Sequence, residues 1–263
     1  MHFFKKNNLI TIGLVGLLLA ILTISGCSAP VPVELNVSAA ASLTDVLKEI
    51  NTLYTQENPD VTITPNFASS GTLQQQIEQG APVDVFLSAA AKQMDNLQKE
   101  ELILNDTRQN LVNNTLVLIV PIDSTLGITS LNDLAADKVK QIAICDPKSS
   151  PAGTYAQQAF DELGITAKVG PKEVLGSDVR QVLTYVETGN VQAGLVYSTD
   201  ALISTKVKVV ASVPADVNAK IIYPIAIIKA SKNVDAAKAY IAFLFSDKAK
   251  TIFEKYGFTM VNK

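Results

Sequence analysis

Short apolar or β-branched runs alternate along the chain with longer stretches in which apolar residues recur every three or four positions. Val33–Val37 reads as a strand, after which Leu43, Val46, Leu47, Ile50, Leu53 and Tyr54 mark one face of a helix. The pattern then repeats, with a strand over Val61–Phe67 before a helix over Thr72–Gln79. A strand over Val83–Leu87 likewise precedes a helix over Ala89–Glu100. Leu116–Val120 and Gln141–Cys145 are further strands, with a helix after Ser130 between them. Helices are expected at Ala152–Leu163 and Val179–Thr188, then strands at Ala193–Val196, Val207–Ser212 and Ile221–Ile228. Two helices, Val234–Phe245 and Asp247–Tyr256, close the chain. Alternation of this kind argues for open sheets with crossover helices, an α/β architecture.

The residues before the first strand obey a different pattern. Lys5 and Lys6 precede an apolar run of 16 residues, Leu9 to Ile24, that ends in Ser25, Gly26 and Cys27. That run is shorter than the roughly 20 residues that span a bilayer, and its positive flank is that of a secretory signal. Ile24-Ser25-Gly26-Cys27 resembles the lipobox of bacterial lipoproteins, in which the cysteine is lipidated and becomes the first residue. Residues 1–26 are therefore expected to be a lipoprotein signal peptide and Cys27 the anchor of an exported protein. An uncleaved signal anchor with an incidental cysteine is the alternative.

Composition removes several kinds of chemistry. At 263 residues, 48% hydrophobic and 18% charged, the chain is long enough to bury one large core or two moderate ones. Its net charge of −3 becomes −5 once two lysines and no acid leave with the signal, so no basic face is available for nucleic acid. His2, the only histidine, leaves with them, and Cys145 is then the only cysteine not claimed by lipid. Histidine-dependent triads and zinc sites needing two His or Cys ligands are excluded. No phosphate-loop, dinucleotide or calcium-loop motif occurs.

Two proline-marked places suggest hinges, Val120-Pro121-Ile122-Asp123 and the stretch from Val213-Pro214 to Tyr223-Pro224. Crossings at 120–122 and 213–224 would make one lobe of 28–119 plus 225–263 and a second of 123–212. A single doubly wound sheet is the alternative.

The informative residues sit where strands hand over to helices. Ser42, before Leu43-Thr44-Asp45, fits an N-cap with Asp45 at the third helical position. Ser70 stands at the next helix start. Ser150-Pro151-Ala152-Gly153 places a cap at Ser150 and leaves the N–H groups of Ala152 and Gly153 free. Ser177 in Gly176-Ser-Asp-Val fits a further cap, with Val179 in the first turn. Such starts offer unpaired donors and the positive end of a helix dipole, the material of an anion site. Each serine cap taken singly is adequately explained by capping, and Tyr197, after a strand, by a core ring with a wet tip. Arg108 and Arg180, the only arginines, stay outside the site: the first suits surface pairing, and the second sits on a helix whose direction is open.

Taken together, these segments resemble a family. Val37-Ser-Ala-Ala-Ala-Ser-Leu-Thr-Asp, Phe67-Ala-Ser-Ser-Gly-Thr-Leu and Gly80-Ala-Pro-Val-Asp-Val-Phe-Leu-Ser-Ala are similar to the molybdate-binding proteins of bacterial ABC importers. So are Asp146-Pro with Pro151-Ala-Gly-Thr-Tyr-Ala, Asp178-Val-Arg, Gly194-Leu-Val-Tyr-Ser-Thr-Asp-Ala, Tyr223-Pro and Lys255-Tyr-Gly-Phe. The resemblance runs in order through the mature chain. It implies a two-lobed periplasmic-binding-protein-like fold of type II, with two crossovers and the ligand in the inter-lobe cleft. By motif, the oxyanion ligands fall on Ser42, Ser70, Ala152, Val179 and Tyr197, with no direct metal ligand and no resident cofactor. Gly71 departs from relatives that often carry serine there, which is expected to loosen that loop.

The function so implied is capture of molybdate or tungstate by a monomeric, lipid-anchored protein outside the cell membrane, for delivery to the membrane permease of an ABC transporter. Donors alone should reject hydrogen phosphate, whose proton needs an acceptor, and cavity size should reject sulfate. Rivals are a receptor for another oxyanion such as sulfate or for an amino acid, a structural lipoprotein, and a serine hydrolase. The hydrolase lacks an S-x-x-K pattern, since Asp45 and Leu73 stand three residues after the two serines.

Overall fold

The computed structural model describes residues 32–261; the signal segment and Cys27 lie outside the described residues. β1 (Val33–Ala40) runs through a 3₁₀ turn at Ala41–Leu43 into α1 (Thr44–Glu57). β2 (Val61–Ala68), α2 (Ser70–Glu78), β3 (Val85–Leu87), α3 (Ala91–Lys99) and β4 (Gln109–Asn113) follow. Next come β5 (Leu116–Pro121), β6 (Ile142–Cys145), α4 (Pro151–Glu162), α5 (Thr166–Val169), β7 (Glu173–Gly176) and α6 (Val179–Glu187). β8 (Ala193–Tyr197), α7 (Ser198–Leu202), β9 (Val207–Ser212), α8 (Ala215–Asn218) and β10 (Ile222–Ile227) continue the chain. α9 (Val234–Leu244), α10 (Asp247–Lys255) and β11 (Thr259–Met260) complete it.

These strands form two sheets. The first has the order β11-β4-β10-β3-β1-β2, the second β7-β6-β8-β5-β9. In the first, β1 is parallel to β2 and β3, and the late strand β10 is inserted antiparallel between β3 and β4. In the second, β6 is parallel to β7 and β8, while β5 is antiparallel to β8 and β9. A chain that leaves one sheet, builds another and returns is the two-lobed type II arrangement. Both sheets belong to one compact unit, Pro32–Lys263.

The crossovers differ from those expected. β4 ends in the first sheet and β5 begins in the second, so the chain first changes sheet at Asn114 and Thr115. Residues 116–119, expected in the first lobe, pair with β8 and β9 instead. The cause is burial: Leu116–Val120 is apolar and buried on both faces, as a strand with neighbours on either side must be, and Pro121 ends it rather than opening a hinge. The return lies between Ser212 and Ile222, so Tyr223 and Pro224 belong to β10.

Helix faces follow the sequence pattern. α1 buries Val46, Leu47, Ile50 and Tyr54 in the main core, with Tyr54 edge-on to Tyr240 and Phe243 of α9, while Leu53 is only half-buried. Each such side chain contributes about 1.5–3 kcal/mol of burial. The helix expected after Ser130 is a 3₁₀ turn, Leu131–Ala135, closed by a capping box between Ser130 and Asp133. β4, β7 and β11 have no counterpart in the apolar pattern, being short and mixed in polarity.

Candidate functional site

The end of β1, the start of α2, the starts of α4 and α6 and the end of β8 converge on one small cavity. Its lining includes Ser42, Ser70, Val179 and Tyr197, together with Ser150, Pro151 and Asp178. Its volume is about 10 Å³, room for a single water-sized sphere. Four of the five expected ligand residues thus share one wall system, and the fifth, Ala152, is buried one residue beyond Pro151. Ala40, Ala41, Ser69 and Ala89 complete the lining; nothing in their chemistry singles them out in the sequence.

Neither serine on the first-sheet side is a cap. Ser42 lies in the 3₁₀ turn, and the position before α1 is Leu43, which makes no side-chain cap. The hydroxyl is instead paired at 2.9 Å with the phenol of Tyr223, on β10. Ser70 is the first residue of α2, and Ser69 precedes it. The Ser70 oxygen accepts a 2.9 Å hydrogen bond from Ala89 N–H. Because that amide can only donate, the hydroxyl hydrogen of Ser70 remains for the cavity.

On the second-sheet side the donors are mostly backbone. α4 starts at Pro151 with Ser150 before it, as expected, although the Ser150 hydroxyl makes no cap bond. α6 is capped by Asp178 rather than Ser177: the carboxylate accepts from Arg180 N–H (2.8 Å) and Gln181 N–H (3.1 Å). That cap also answers an electrostatic objection. Asp178 lines the cavity, but its negative oxygen is turned into the first turn of α6. Val179, at the first helical position, and Ala152, at the second position of α4, are beyond reach of their own helices' carbonyls.

Tyr197 ends β8 as a fully buried ring whose phenol oxygen has no hydrogen bond of ordinary geometry. Burial above all, with the neighbouring Tyr223 adding to it, holds its pKa well above the ordinary phenol value, so it keeps its proton. A buried hydroxyl without a partner costs about 1–3 kcal/mol, which a ligand at this point recovers. Cys145, at the end of β6, is buried, and burial pushes its thiol up as well, so it is no nucleophile.

The two halves meet around the cavity. Gly71 N–H donates to Ser149 O at 2.9 Å, and a Cβ on Gly71 would stand 2.4 Å from that oxygen. The glycine expected to loosen its loop is therefore what lets the halves touch. Arg180, left out of the site by sequence, does not line it but ties its walls. Its guanidinium contacts Asp45 on α1 (2.7 Å) and Asp200 on α7 (2.9 Å), and donates to Ala41 O (3.3 Å). A larger hollow of about 590 Å³ lies on α1 and α10 and contains none of the expected residues. Its Glu49 is occupied by Lys255 and Tyr256.

Among the described residues no group of three or more His, Cys, Asp or Glu is placed to hold a metal ion, and no helix is long and apolar enough to cross a membrane. The family model for bacterial extracellular solute-binding proteins matches residues 35–259. The chain belongs to this family. As a solute-binding protein it is 43% identical over 263 residues to YvgL of Bacillus subtilis, provisionally named a substrate-binding lipoprotein of an ABC transporter. That alignment covers 97% of this chain and 99% of the relative. It is 38% identical over 237 residues to the molybdate-binding protein ModA of Haemophilus influenzae, covering 89% and 93% of the two chains. Among solved structures, the substrate-binding domain of a provisionally named molybdenum ABC transporter from Clostridium difficile matches with a TM-score of 0.68 and 44% identity. It covers 88% of this chain and 100% of that one.

Proposed function

We propose that this solute-binding protein captures molybdate or tungstate between its halves, without chemistry, and hands it to the permease of an ABC transporter. The observation that carries the reading is the buried phenol of Tyr197, which makes no hydrogen bond of ordinary geometry, in the same cavity as Ser42, Ser70 and Val179. With Ala152 N–H these are uncharged donors from both sheets, suited to a permanent dianion. They replace its hydration without bringing a counter-ion. A tetrahedral ion is larger than one water, so the walls must part to admit it and close again behind it. The closed outer surface is what a permease reads.

The names of the relatives in Haemophilus influenzae and Clostridium difficile support molybdenum oxyanions over sulfate. The lipobox and the name of the Bacillus subtilis relative support an anchor outside the membrane through lipid on Cys27. A serine hydrolase has no support: the partner of Ser42 is a phenol and that of Ser70 a backbone amide, neither of them a base.

The test is calorimetric titration with molybdate, tungstate, sulfate and phosphate. Molybdate and tungstate are expected to bind, sulfate more weakly, and phosphate most weakly of the four. Absence of molybdate binding, or sulfate binding equally tightly, overturns the proposal.

A further inference from the structure

Behind the cavity, Ser42, Tyr223, Asn114 and Thr199 form a buried chain of polar groups, and only Ser42 lines the site. Asn114 Nδ2 donates to Thr199 Oγ1 (2.9 Å) and to the phenol oxygen of Tyr223 (3.2 Å). The direction is set at the other end of the amide. Asn114 Oδ1 accepts from Thr115 N–H at 2.8 Å, and since a backbone N–H only donates, the amide cannot be flipped. Tyr223, having accepted from Asn114, has one hydrogen to give, and Ser42 Oγ lies 2.9 Å away. With Tyr223 as the donor of this pair, Ser42 accepts from behind and its own hydrogen is left for the cavity.

We infer that Asn114 and Tyr223 are positioning residues that fix the proton direction of Ser42, and so decide which oxyanions the site admits. The inference rests on the proposed oxyanion function and deepens it. Its force lies in the contrast with Ser70, whose partner, Ala89 N–H, cannot reverse. A phenol can act either way, so Tyr223 enforces direction only while Asn114 donates to it. Without that, Ser42 is free to present a lone pair, which accepts the proton of hydrogen phosphate and repels a bare dianion. Asn114 is also where the chain first changes sheet, and Thr199 belongs to the second half, so the amide spans the halves.

The experiment uses the full chain purified in detergent, titrated with sodium molybdate and inorganic phosphate. Asn114→Asp keeps an acceptor for Thr115 N–H but replaces the donor facing Tyr223 with an acceptor, which reverses the chain. Losing a hydrogen bond to a charged partner predicts a fall in molybdate affinity of about ten- to a hundredfold, with phosphate binding rising relative to molybdate. Tyr223→Phe merely frees Ser42; molybdate affinity falls by about three- to tenfold, the value of a neutral hydrogen bond, with a smaller rise in the phosphate-to-molybdate ratio. A purely structural role moves both ions together and leaves the ratio unchanged, and that result overturns the inference. If Asn114→Asp does not fold, the ratio in Tyr223→Phe decides alone. A wild-type chain that binds no molybdate contradicts the proposed function instead.

Discussion

On the first-sheet side of the cavity the donors are serine hydroxyls, each held from behind by another group; on the second-sheet side they are helix-start amides and one phenol. Ser42 and Ser70 owe their direction to Tyr223 and Ala89, residues distant in sequence. The donors at Ala152 and Val179 need no such support, because helix geometry points a first-turn N–H outward whatever the side chain. The first wall is thus sensitive to side-chain substitution, the second to whatever sets a helix start. Tyr197 is the exception on its side, a side-chain donor whose ring packs edge-on against Tyr223.

The largest expected effect comes where the walls touch. Gly71→Ala places a Cβ 2.4 Å from Ser149 O across the junction. Overpacking against backbone costs about 3 kcal/mol, more than a hundredfold in molybdate affinity. The clash falls between the halves rather than inside either, so the halves can part to relieve it and the thermal midpoint should fall less than for a clash within one half. Gly153→Ala is the contrast. Its Cβ would stand 2.2 Å from Cys145 O within one half, so the midpoint itself should drop. Loss of stability in Gly71→Ala without loss of affinity would deny that it acts at closure.

Ser42→Ala comes next, with about 1.5–3 kcal/mol of binding lost, the range for a hydrogen bond to a charged partner. An unchanged affinity by calorimetry removes Ser42 from the first wall. Asp178→Ala tests the second wall through its cap, where two N–H bonds are lost. About 1 kcal/mol of stability should go with them, read from denaturant midpoints.

Much of this site was legible because strand ends and helix starts are marked by small and capping residues. Ser42, Ser70, Ala152, Val179 and Tyr197 all lie at such junctions. A cap is ambiguous where two capping residues stand side by side: of Ser177 and Asp178 the carboxylate takes the role, because it accepts from two amides at once. β5 belongs to the second half although it ends in Pro121, because a proline marks a strand end as readily as a hinge. Tyr223 and Asn114 left no local signal. Their bonds join residues 181 and 109 positions apart, and only sheet topology brings them together. Arg180 was ambiguous for a similar reason, since its partners Asp45 and Asp200 lie on two other helices.

A further effect is one of pH. Asp200 is fully buried, and burial pushes its carboxyl from the ordinary 3.8 up to about 7; Arg180 opposes the shift, while Asp178 and Asp45 add to it. The folded state therefore keeps a proton that the unfolded chain releases. This contribution to stability is fully present below about 3.8 and is lost as pH rises through about 7. Asp200→Asn should flatten the fall in denaturant midpoint between those values; an unchanged slope assigns it to other groups.

The most direct test of the binding claim is a crystal structure of the protein grown with molybdate. Its oxygens should lie within hydrogen-bond reach of Ser42 Oγ, Ser70 Oγ, Ala152 N, Val179 N and Tyr197 Oη, with no cationic side chain touching the ion. An ion held elsewhere, or clamped by Arg180, would contradict the account.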